Sequence, residues 1–146
     1  MTLTIRPLTQ ADEAAWRDLW RAYLAFYETT LPDEVYATTF ARLLDPAHPR
    51  QNGFLAVRGK EPVGLVHFIY HPHNWRIEDV CYLQDLYVSE AARGTGAGRA
   101  LIEAVYAAAD AHGTPSVYWM TQDFNTTARR LYDRIATLTP FIKYQR

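Results

Sequence analysis

The sequence lacks the features that mark secreted, membrane and nucleic-acid-binding proteins. Its one cysteine, Cys81, excludes a disulfide within the chain and a cysteine-rich metal site. The 15 basic and 16 acidic residues leave a net charge of −1 without a block of like charge, so broad electrostatic binding of nucleic acid is not expected. No apolar run approaches the roughly 20 residues of a membrane span, and the first residues form no apolar signal core. These absences predict a cytoplasmic protein without membrane or nucleic-acid partners.

The length and the hydrophobic content fit one globular domain. The chain has 146 residues, of which 49% are hydrophobic and 14% aromatic, including ten tyrosines and four tryptophans. A chain of this size buries roughly 70% of its surface on folding. We therefore expect a core that needs no disulfide or structural metal to hold it together.

Hydrophobic periodicity predicts strands and helices along the whole chain. Alternating residues indicate strands, and apolar residues three or four positions apart indicate helices. The predicted order is βααβββαβαβ, with no repeat or linker, so we expect one α/β domain over residues 1–146. The predicted strands cover 2–8, 53–58, 62–70, 76–88, 116–122 and 141–144, and the predicted helices cover 10–28, 32–45, 100–112 and 125–135.

A glycine-rich turn, LYVSEAARGTGAGR over 86–99, leads from a strand into a helix. Glycine lets backbone N–H groups approach an anion, and a helix N-terminus favours negative charge there. Arg93 and Arg99 add cations, so the turn suits a pyrophosphate. A P-loop is excluded because Gly98 is not followed by Lys-Ser/Thr, and the dinucleotide fingerprint fails because its third position is not small. A turn that binds no ligand stays the alternative.

Two motifs give the sequence a family resemblance. Arg93, Gly96 and Gly98 fit the pattern Gln/Arg-x-x-Gly-x-Gly/Ala, which resembles the coenzyme A pyrophosphate loop of the GNAT superfamily of N-acetyltransferases. The segment NTTARRLY, from Asn125 to Tyr132, is similar to the N-x-x-A-x-x-L/F-Y pattern on the next helix of that superfamily. The strand YLQDLYV resembles the diamine (spermidine/spermine) branch, and the closing FIKY resembles small amino-acid and histone/polyamine acetyltransferases.

The resemblance implies a mixed, mostly antiparallel sheet flanked by helices, with acetyl-CoA held between two splayed strands. Pantetheine would pair with the first splayed strand like an added strand, and a backbone N–H near Leu86 or Tyr87 would polarise the thioester carbonyl. The residues implied in cofactor binding are Leu86, Tyr87, Val88, Arg93, Gly94, Thr95, Gly96, Ala97, Gly98, Arg99, Asn125, Ala128 and Tyr132.

The resemblance implies one catalytic residue, and the position of Asp85 on the strand just before Leu86 suggests a second. Tyr132 matches the acid that protonates the CoA thiolate, and Asp85 is our preferred acceptor for the proton of the amine. Glu28, Glu78 and Asp79 are alternative bases, and a purely structural carboxylate at Asp85 stays open.

The acceptor side is expected at the end of the first helix and along the central strand. Tyrosine faces, Tyr27 among them, could hold a cationic amine with Glu28 as counter-charge. Gln84 stands where the diamine branch usually has Glu, and it cannot accept a proton at neutral pH, which weakens a polyamine assignment. The substrate-binding candidates are Tyr27, Glu28, Trp75, Gln84 and Asp85, with His71 and His73 beside Trp75.

Three further interpretations concern packing and metal. Trp16, Trp20 and Phe26 are assigned to packing, and Cys81 to a small buried hydrophobe. No metal site is expected, because the spacing of the histidines at 67, 71 and 73 is not diagnostic of one.

The sequence therefore predicts an acetyl-CoA-dependent N-acetyltransferase acting on a primary amine of a small molecule, such as a polyamine or an amino acid, by direct attack in a ternary complex. Transfer to a peptide or protein amine and a non-catalytic CoA-binding module are the alternatives. The joint presence of both motifs disfavours the second alternative. We expect a homodimer.

Overall fold

The computed structural model describes residues 2–146, which form five strands and four α-helices. In chain order these are β1 (Leu3–Pro7), α1 (Glu13–Phe26), α2 (Asp33–Leu44), β2 (Gln51–Arg58), β3 (Glu61–His71), β4 (Val80–Val88), α3 (Ala97–Ala111), β5 (Val117–Tyr118) and α4 (Thr126–Ile135). Short 3₁₀ turns precede α1 and follow β4. Within the described range, no helix is both long and apolar enough to cross a membrane.

The strands form one sheet in the order β1-β2-β3-β4-β5. The first four strands are antiparallel to their neighbours, and β5 is parallel to β4. This confirms the expected mixed, mostly antiparallel α/β architecture.

Each face of the sheet carries its own apolar core. On one face, α3 packs Leu101, Ile102 and Val105 onto the strands. On the other face, α1 and α2 pack Trp16 and Phe40 onto the strands. A position in the sheet therefore determines which helices a strand side chain meets.

The aromatic helix α1 follows the packing prediction in two positions and departs from it in one. Trp16 is fully buried and Trp20 nearly so, which confirms their assignment to the core. The assignment of Phe26 is wrong, because its side chain is 58% exposed. Phe26 lies on nearly the same face as the buried Leu19, seven residues earlier, but it is the last residue of α1 and lies beyond the part of the helix that carries its buried residues.

The predicted closing strand is wrong, since residues 141–144 form no strand. Phe141, Ile142 and Tyr144 are 84%, 75% and 89% exposed, so they have the β-propensity of a strand without a paired neighbour in the described chain. The strand predicted over 116–122 is reduced to Val117–Tyr118, and the one predicted from 76 begins only at Val80. The preceding residues turn instead, with the Arg76 N–H donating to the His73 carbonyl.

Candidate active site

The glycine-rich turn ends in an uncapped helix start. Gly94 and Gly96 have φ of 76° and 86°, which an L side chain rarely adopts, and an added Cβ at either would meet nothing within 4 Å. Gly96 is the N-cap of α3 and supplies no side-chain cap. The backbone N–H groups of the first turn, at Ala97, Gly98 and Arg99, have no intrahelical partner and point towards an anion-binding position.

Arginines from two elements lie around this turn. The Arg93 Nε donates to the Val88 carbonyl at 3.1 Å, and its guanidinium lies 5.9 Å from the centre of the Tyr87 ring. Arg58 on β2 donates to the Thr95 hydroxyl at 3.1 Å. Sequence reasoning missed Arg58 because it is 37 residues distant from Thr95 and belongs to no local motif.

The third predicted cation, Arg99, has a carboxylate partner on its own helix. Its Nε donates to Glu103 at 2.6 Å, one turn further along α3, and both side chains are more than half exposed. Arg99 therefore brings a partly neutralised charge to the turn.

The strand that precedes the turn has an open edge. Pairing between β4 and β5 is confined to Cys81 with Val117 and Tyr82 with Tyr118, so residues 83–88 have no strand partner on that side. Beyond the paired residues, where β4 and β5 separate, Gly98 of α3 lies close to both β4 and α4. A Cβ added to it would lie 3.8 Å from Val88 on β4 and 3.7 Å from Leu131 on α4. The turn, the open edge and α4 thus meet at one groove, which contains Leu86, Tyr87 and Val88.

The start of α4 explains part of the second motif in structural terms. The Asn125 side chain caps α4 by accepting a hydrogen bond from the Ala128 N–H at 3.4 Å, and its amide donates to the Thr121 hydroxyl at 3.5 Å. The same residues that were expected to bind cofactor therefore also fix where α4 begins. Tyr132 lies seven residues after the cap, two turns along the helix.

The Tyr132 side chain lies between α4 and the cleft. Its ring packs edge-on against Trp119, with ring centres 5.4 Å apart. Burial, with a smaller contribution from Tyr27, raises the pKa of Tyr132 to about 12. The phenol therefore keeps its proton at neutral pH and can donate it.

A β-bulge turns Asp85 towards α1. In the register of β3 with β4, His67 opposes Asp85 and Phe68 opposes Leu83, so Gln84 is the extra residue. Because strand side chains alternate, one extra residue reverses the alternation. Leu83 before the bulge joins the core under α3, whereas Asp85 after it joins the α1 face.

Asp85 is buried, with 8% of its surface exposed, and it has named partners. Its Oδ2 lies 2.8 Å from Nδ1 of His67. The Tyr23 hydroxyl faces Asp85. Burial raises the pKa of Tyr23, and the negative charge of Asp85 raises it further. The carboxylate is thus held by His67, with the Tyr23 phenol near it.

Three tyrosines, Tyr23, Tyr27 and Tyr87, lie between Asp85 and Tyr132. Together with Tyr132 we call them the tyrosine cluster. The ring centre of Tyr23 lies 5.1 Å from that of Tyr27 and 6.5 Å from that of Tyr87. Tyr27 is close enough to Tyr132 to contribute to its raised pKa. The cluster therefore places a buried carboxylate and a protonated phenol on the two sides of one aromatic cleft.

Three other acceptor candidates are exposed, unlike Asp85. Trp75 is 87% exposed on the loop between β3 and β4, where it packs on His73. Glu28 is exposed just after α1, with the positive φ of 55°. Gln84 is exposed at the bulge. Their contact with substrate stays a prediction.

The alternative bases have partners of their own. The Asp79 carboxylate lies 3.6 Å from His112, and that of Glu78 lies 3.9 Å from Arg76. Both precede β4 in sequence, so neither shares the buried cleft position of Asp85.

A second, shallow cavity of about 320 Å³ lies at the other end of β4. His71, whose Nε2 is 2.7 Å from the Tyr118 hydroxyl, lines it together with His73, Arg76 and Val80. Residues 2–146 contain no group of three His, Cys, Asp or Glu side chains arranged to hold a metal ion. His67 belongs instead to the Asp85 site.

The structure confirms that Cys81 is a buried hydrophobe. Its side chain is fully buried in the core under α3. Burial raises the pKa of its thiol to about 11, so it is not a thiolate nucleophile at neutral pH.

Known proteins are similar to this chain in sequence. Residues 14–136 match the acetyltransferase (GNAT) family model. A D-amino-acid N-acetyltransferase of Saccharomyces cerevisiae is 42% identical over 99% of this chain and 90% of its own length. A thialysine N-epsilon-acetyltransferase of Caenorhabditis elegans is 31% identical over 58% of this chain and 52% of its own length.

Solved structures agree in fold at lower sequence identity. The aminoglycoside N-acetyltransferase AAC(6')-Iy, solved in complex with CoA, superposes with a TM-score of 0.85 at 18% identity, covering 99% of this chain and 94% of that one. A ribosomal-protein-alanine N-acetyltransferase from Brucella melitensis biovar Abortus gives 0.79 at 22% identity, covering 99% and 98%. The chain therefore belongs to the acetyltransferase (GNAT) family and is an enzyme that transfers an acetyl group to an amine.

Proposed function

We propose that this enzyme acetylates the primary amine of a small molecule, with acetyl-CoA as donor, and that amino acids are its principal acceptors. The observation that carries the proposal is the buried Asp85 carboxylate facing the tyrosine cluster that also contains Tyr132. Two relatives support the acceptor class, since their names specify D-amino acids and thialysine, an amino acid with a side-chain amine.

The groove fits the parts of acetyl-CoA. Free N–H groups at the start of α3, with Arg58 and Arg93 beside them, suit a diphosphate, and the open edge of β4 suits the amide-bearing pantetheine arm. When bound, acetyl-CoA supplies a thioester-activated acetyl group and a thiol leaving group. We propose as its binding residues the set named from the sequence, with Arg58 added.

Asp85 acts on the amine. Its buried negative charge attracts the substrate ammonium, and its carboxylate accepts a proton from the nitrogen so that the lone pair is free to attack. The faces of Tyr23 and Tyr27 stabilise the cation before that transfer.

Tyr132 acts on the leaving sulfur from the opposite side of the cleft. As the N–C bond forms and the C–S bond breaks, its phenol donates the proton that the sulfur takes up. The nitrogen loses two protons on its way from ammonium to amide. Asp85 takes the first before the attack and releases it to solvent, and it takes the second as the C–S bond breaks, while solvent reprotonates Tyr132.

The length of β4 separates the cavity at His71 from this chemistry. Val80, which lines that cavity, is five residues from Asp85, or about 16 Å along a strand. A simple amino acid cannot span that distance. We therefore place its α-amine and carboxylate within the tyrosine cluster.

A substrate panel tests the proposal. Thiol release from acetyl-CoA is measured with D- and L-amino acids, thialysine, polyamines, aminoglycosides and lysine peptides at equal concentration. The proposal predicts the highest kcat/KM for amino acids. A higher kcat/KM for lysine peptides, or tight acetyl-CoA binding without amine-dependent thiol release, would contradict it.

We further propose that residues 1–146 act as one catalytic domain, as a homodimer in the cytoplasm. The single sheet shared by both cores supports one domain. The lone cysteine supports a reducing compartment. The exposed apolar side chains of residues 138–144 support contact with a second subunit.

A further inference from the structure

A line of buried hydrogen bonds continues from Asp85 into the core beneath α1. The Trp16 indole Nε1 lies 2.9 Å from Nε2 of His67, and Nδ1 of His67 lies 2.8 Å from Oδ2 of Asp85. Trp16 is fully buried, His67 is 5% exposed and Asp85 is 8% exposed. The three residues come from α1, β3 and β4, so the line crosses from a helix to the central strands.

The chemistry of the indole fixes the direction of both hydrogen bonds. An indole N–H is a donor only, so Nε2 of His67 must be the acceptor and carry no proton. The single proton of the neutral imidazole is then on Nδ1, where it is donated to Asp85. A second proton, on Nε2, would face the indole N–H and leave two donors opposed in a buried space.

The same geometry limits what His67 can do. Because Nε2 is already occupied by Trp16, His67 has no free lone pair with which to take a proton from Asp85 and pass it on. Asp85 is therefore the end of the proton path from the amine, and His67 does not relay protons further into the core.

We propose that His67 and Trp16 are positioning residues for the reaction: Trp16 locks His67 in the neutral Nδ1–H tautomer, and His67 holds Oδ2 of Asp85 so that its other oxygen faces the substrate amine. This inference rests on the proposed role of Asp85 as the proton acceptor. It assigns a function to two core residues that touch neither substrate nor cofactor.

Two phenols also lie near Asp85. Tyr23 faces it from α1, where burial and then the Asp85 charge raise the pKa of Tyr23. Burial, Tyr118 and then the Asp85 charge raise the pKa of Tyr82 on β4. Both phenols therefore keep their protons at neutral pH and do not compete with Asp85 for the proton of the amine.

Two substitutions at His67 separate positioning from packing. His67→Leu keeps the bulk but removes the donor, whereas His67→Asn carries an amide N–H close to the position of Nδ1. We expect His67→Leu to lower kcat about tenfold without changing the Kd for acetyl-CoA, because Oδ2 of Asp85 loses the donor that holds it. His67→Asn should stay within about threefold of the wild type. Equal losses in the two variants, or a wild-type kcat in His67→Leu, would overturn the proposal.

The double variant distinguishes failure of this inference from failure of the proposed function. In an Asp85→Asn background, His67→Leu should cause no further change in kcat. If Asp85→Asn itself has no effect, the proposed base is wrong. If Asp85→Asn lowers kcat but His67→Leu leaves kcat unchanged, only the positioning role is wrong. Melting temperature and the Kd for CoA are measured for each variant to show that it folds.

A spectroscopic readout tests the tautomer without activity. In protein labelled with ¹⁵N-histidine, the resonances missing from His67→Asn identify His67 among the five histidines. We expect Nδ1 to be protonated and Nε2 unprotonated at neutral pH, and we expect Trp16→Phe to let the Nε2–H tautomer form. An imidazolium or an Nε2–H tautomer in the wild type would overturn the proposal.

Discussion

At the residue scale, the surroundings of Tyr132 keep a proton available for the leaving sulfur. Burial raises its pKa to about 12. Donation from this phenol to a thiolate, whose thiol has a pKa of about 8.5, is uphill, so the transfer must be coupled to cleavage of the C–S bond and to reprotonation of the phenol by solvent. The chain therefore holds a protonated phenol where negative charge appears during the reaction.

Tyr132→Phe should lower kcat by about 10- to 100-fold with little change in the Kd for acetyl-CoA. The substitution removes one hydroxyl and keeps the ring that packs on Trp119. Single-turnover rates of acetyl transfer and a calorimetric Kd check the two halves. Tyr144→Phe, at a tyrosine that is 89% exposed, is the matched control and should match the wild type.

The same variant has a pH signature in stability. A phenol whose pKa is about 10 unfolded and about 12 folded stabilises the protein fully below pH 10 and loses that contribution as the pH rises towards 12. The free energy of unfolding, measured in urea at pH 8 and pH 11, should therefore fall less in Tyr132→Phe than in the wild type. An equal fall would contradict the buried phenol.

Glu28 sits in a backbone conformation that favours glycine, with φ of 55° directly after α1. Glu28→Gly should raise the free energy of unfolding by about 1 kcal/mol, because it relieves left-handed strain. Glu28→Gln keeps the strain and should leave stability unchanged. If Glu28 is a counter-charge for the acceptor, both variants raise the amine KM equally, and an unchanged KM in both would remove it from the site.

At the element scale, the start of α3 and the bulge of β4 set the geometry of the site. The helix presents unpaired N–H groups because glycines at positive φ allow the chain to turn tightly before it. The bulge at Gln84 brings Asp85 to the face covered by α1. The start of α3 thus provides an anion site, and the bulge of β4 provides a buried carboxylate. The last residues of β4 and the turn after it connect the two.

Two glycines of the turn should respond differently to alanine. Gly96→Ala should cost about 1–2 kcal/mol of stability and weaken CoA binding, because its φ of 86° is strained for alanine. Gly98→Ala should fold with near-normal stability, since its Cβ would make ordinary contacts at 3.7 and 3.8 Å, and any loss of CoA affinity then reports the ligand itself. Chemical denaturation and CoA titration separate the two effects. Equal stability losses would contradict this distinction.

The sequence predicted those features that depend only on residues close together in the chain. The glycine-rich turn, the two motifs and the helical stripe of Trp16 and Trp20 were all readable from spacing. The bulge was not, because a one-residue register shift depends on the partner strand and leaves no local signal. The pairing of His67 with Asp85 depends on that shift. Sequence reasoning therefore considered His67 only together with His71 and His73, as a metal site that was not expected.

The closing strand failed for a related reason. Phe141, Ile142 and Tyr144 have strand propensity, but a strand exists only when its backbone groups are paired. Propensity alone could not reveal that the described chain offers these residues no partner. Arg58, likewise, reaches the glycine-rich turn only through the tertiary fold.

At the scale of the whole molecule, the exposed apolar tail bears on the predicted homodimer. Leu138, Phe141, Ile142 and Tyr144 are each at least 70% exposed, a larger cluster of apolar side chains than a chain usually leaves to water. We expect light scattering to give about twice the chain mass of 16.8 kDa. Replacing Phe141 and Ile142 by Ser should shift the population towards monomer. A wild type that is monomeric at all concentrations tested would contradict the prediction.

The whole account depends on Asp85 accepting the proton of the amine, so one measurement tests it most directly. Single-turnover acetyl transfer to an amino acid is followed for the wild type, for Asp85→Asn and for Asp110→Asn, an exposed acid on α3, each saturated with acetyl-CoA. The account predicts that Asp85→Asn lowers the transfer rate about 100-fold or more without changing the Kd for acetyl-CoA, while Asp110→Asn equals the wild type. An Asp85→Asn enzyme with the wild-type rate and pH profile would contradict it.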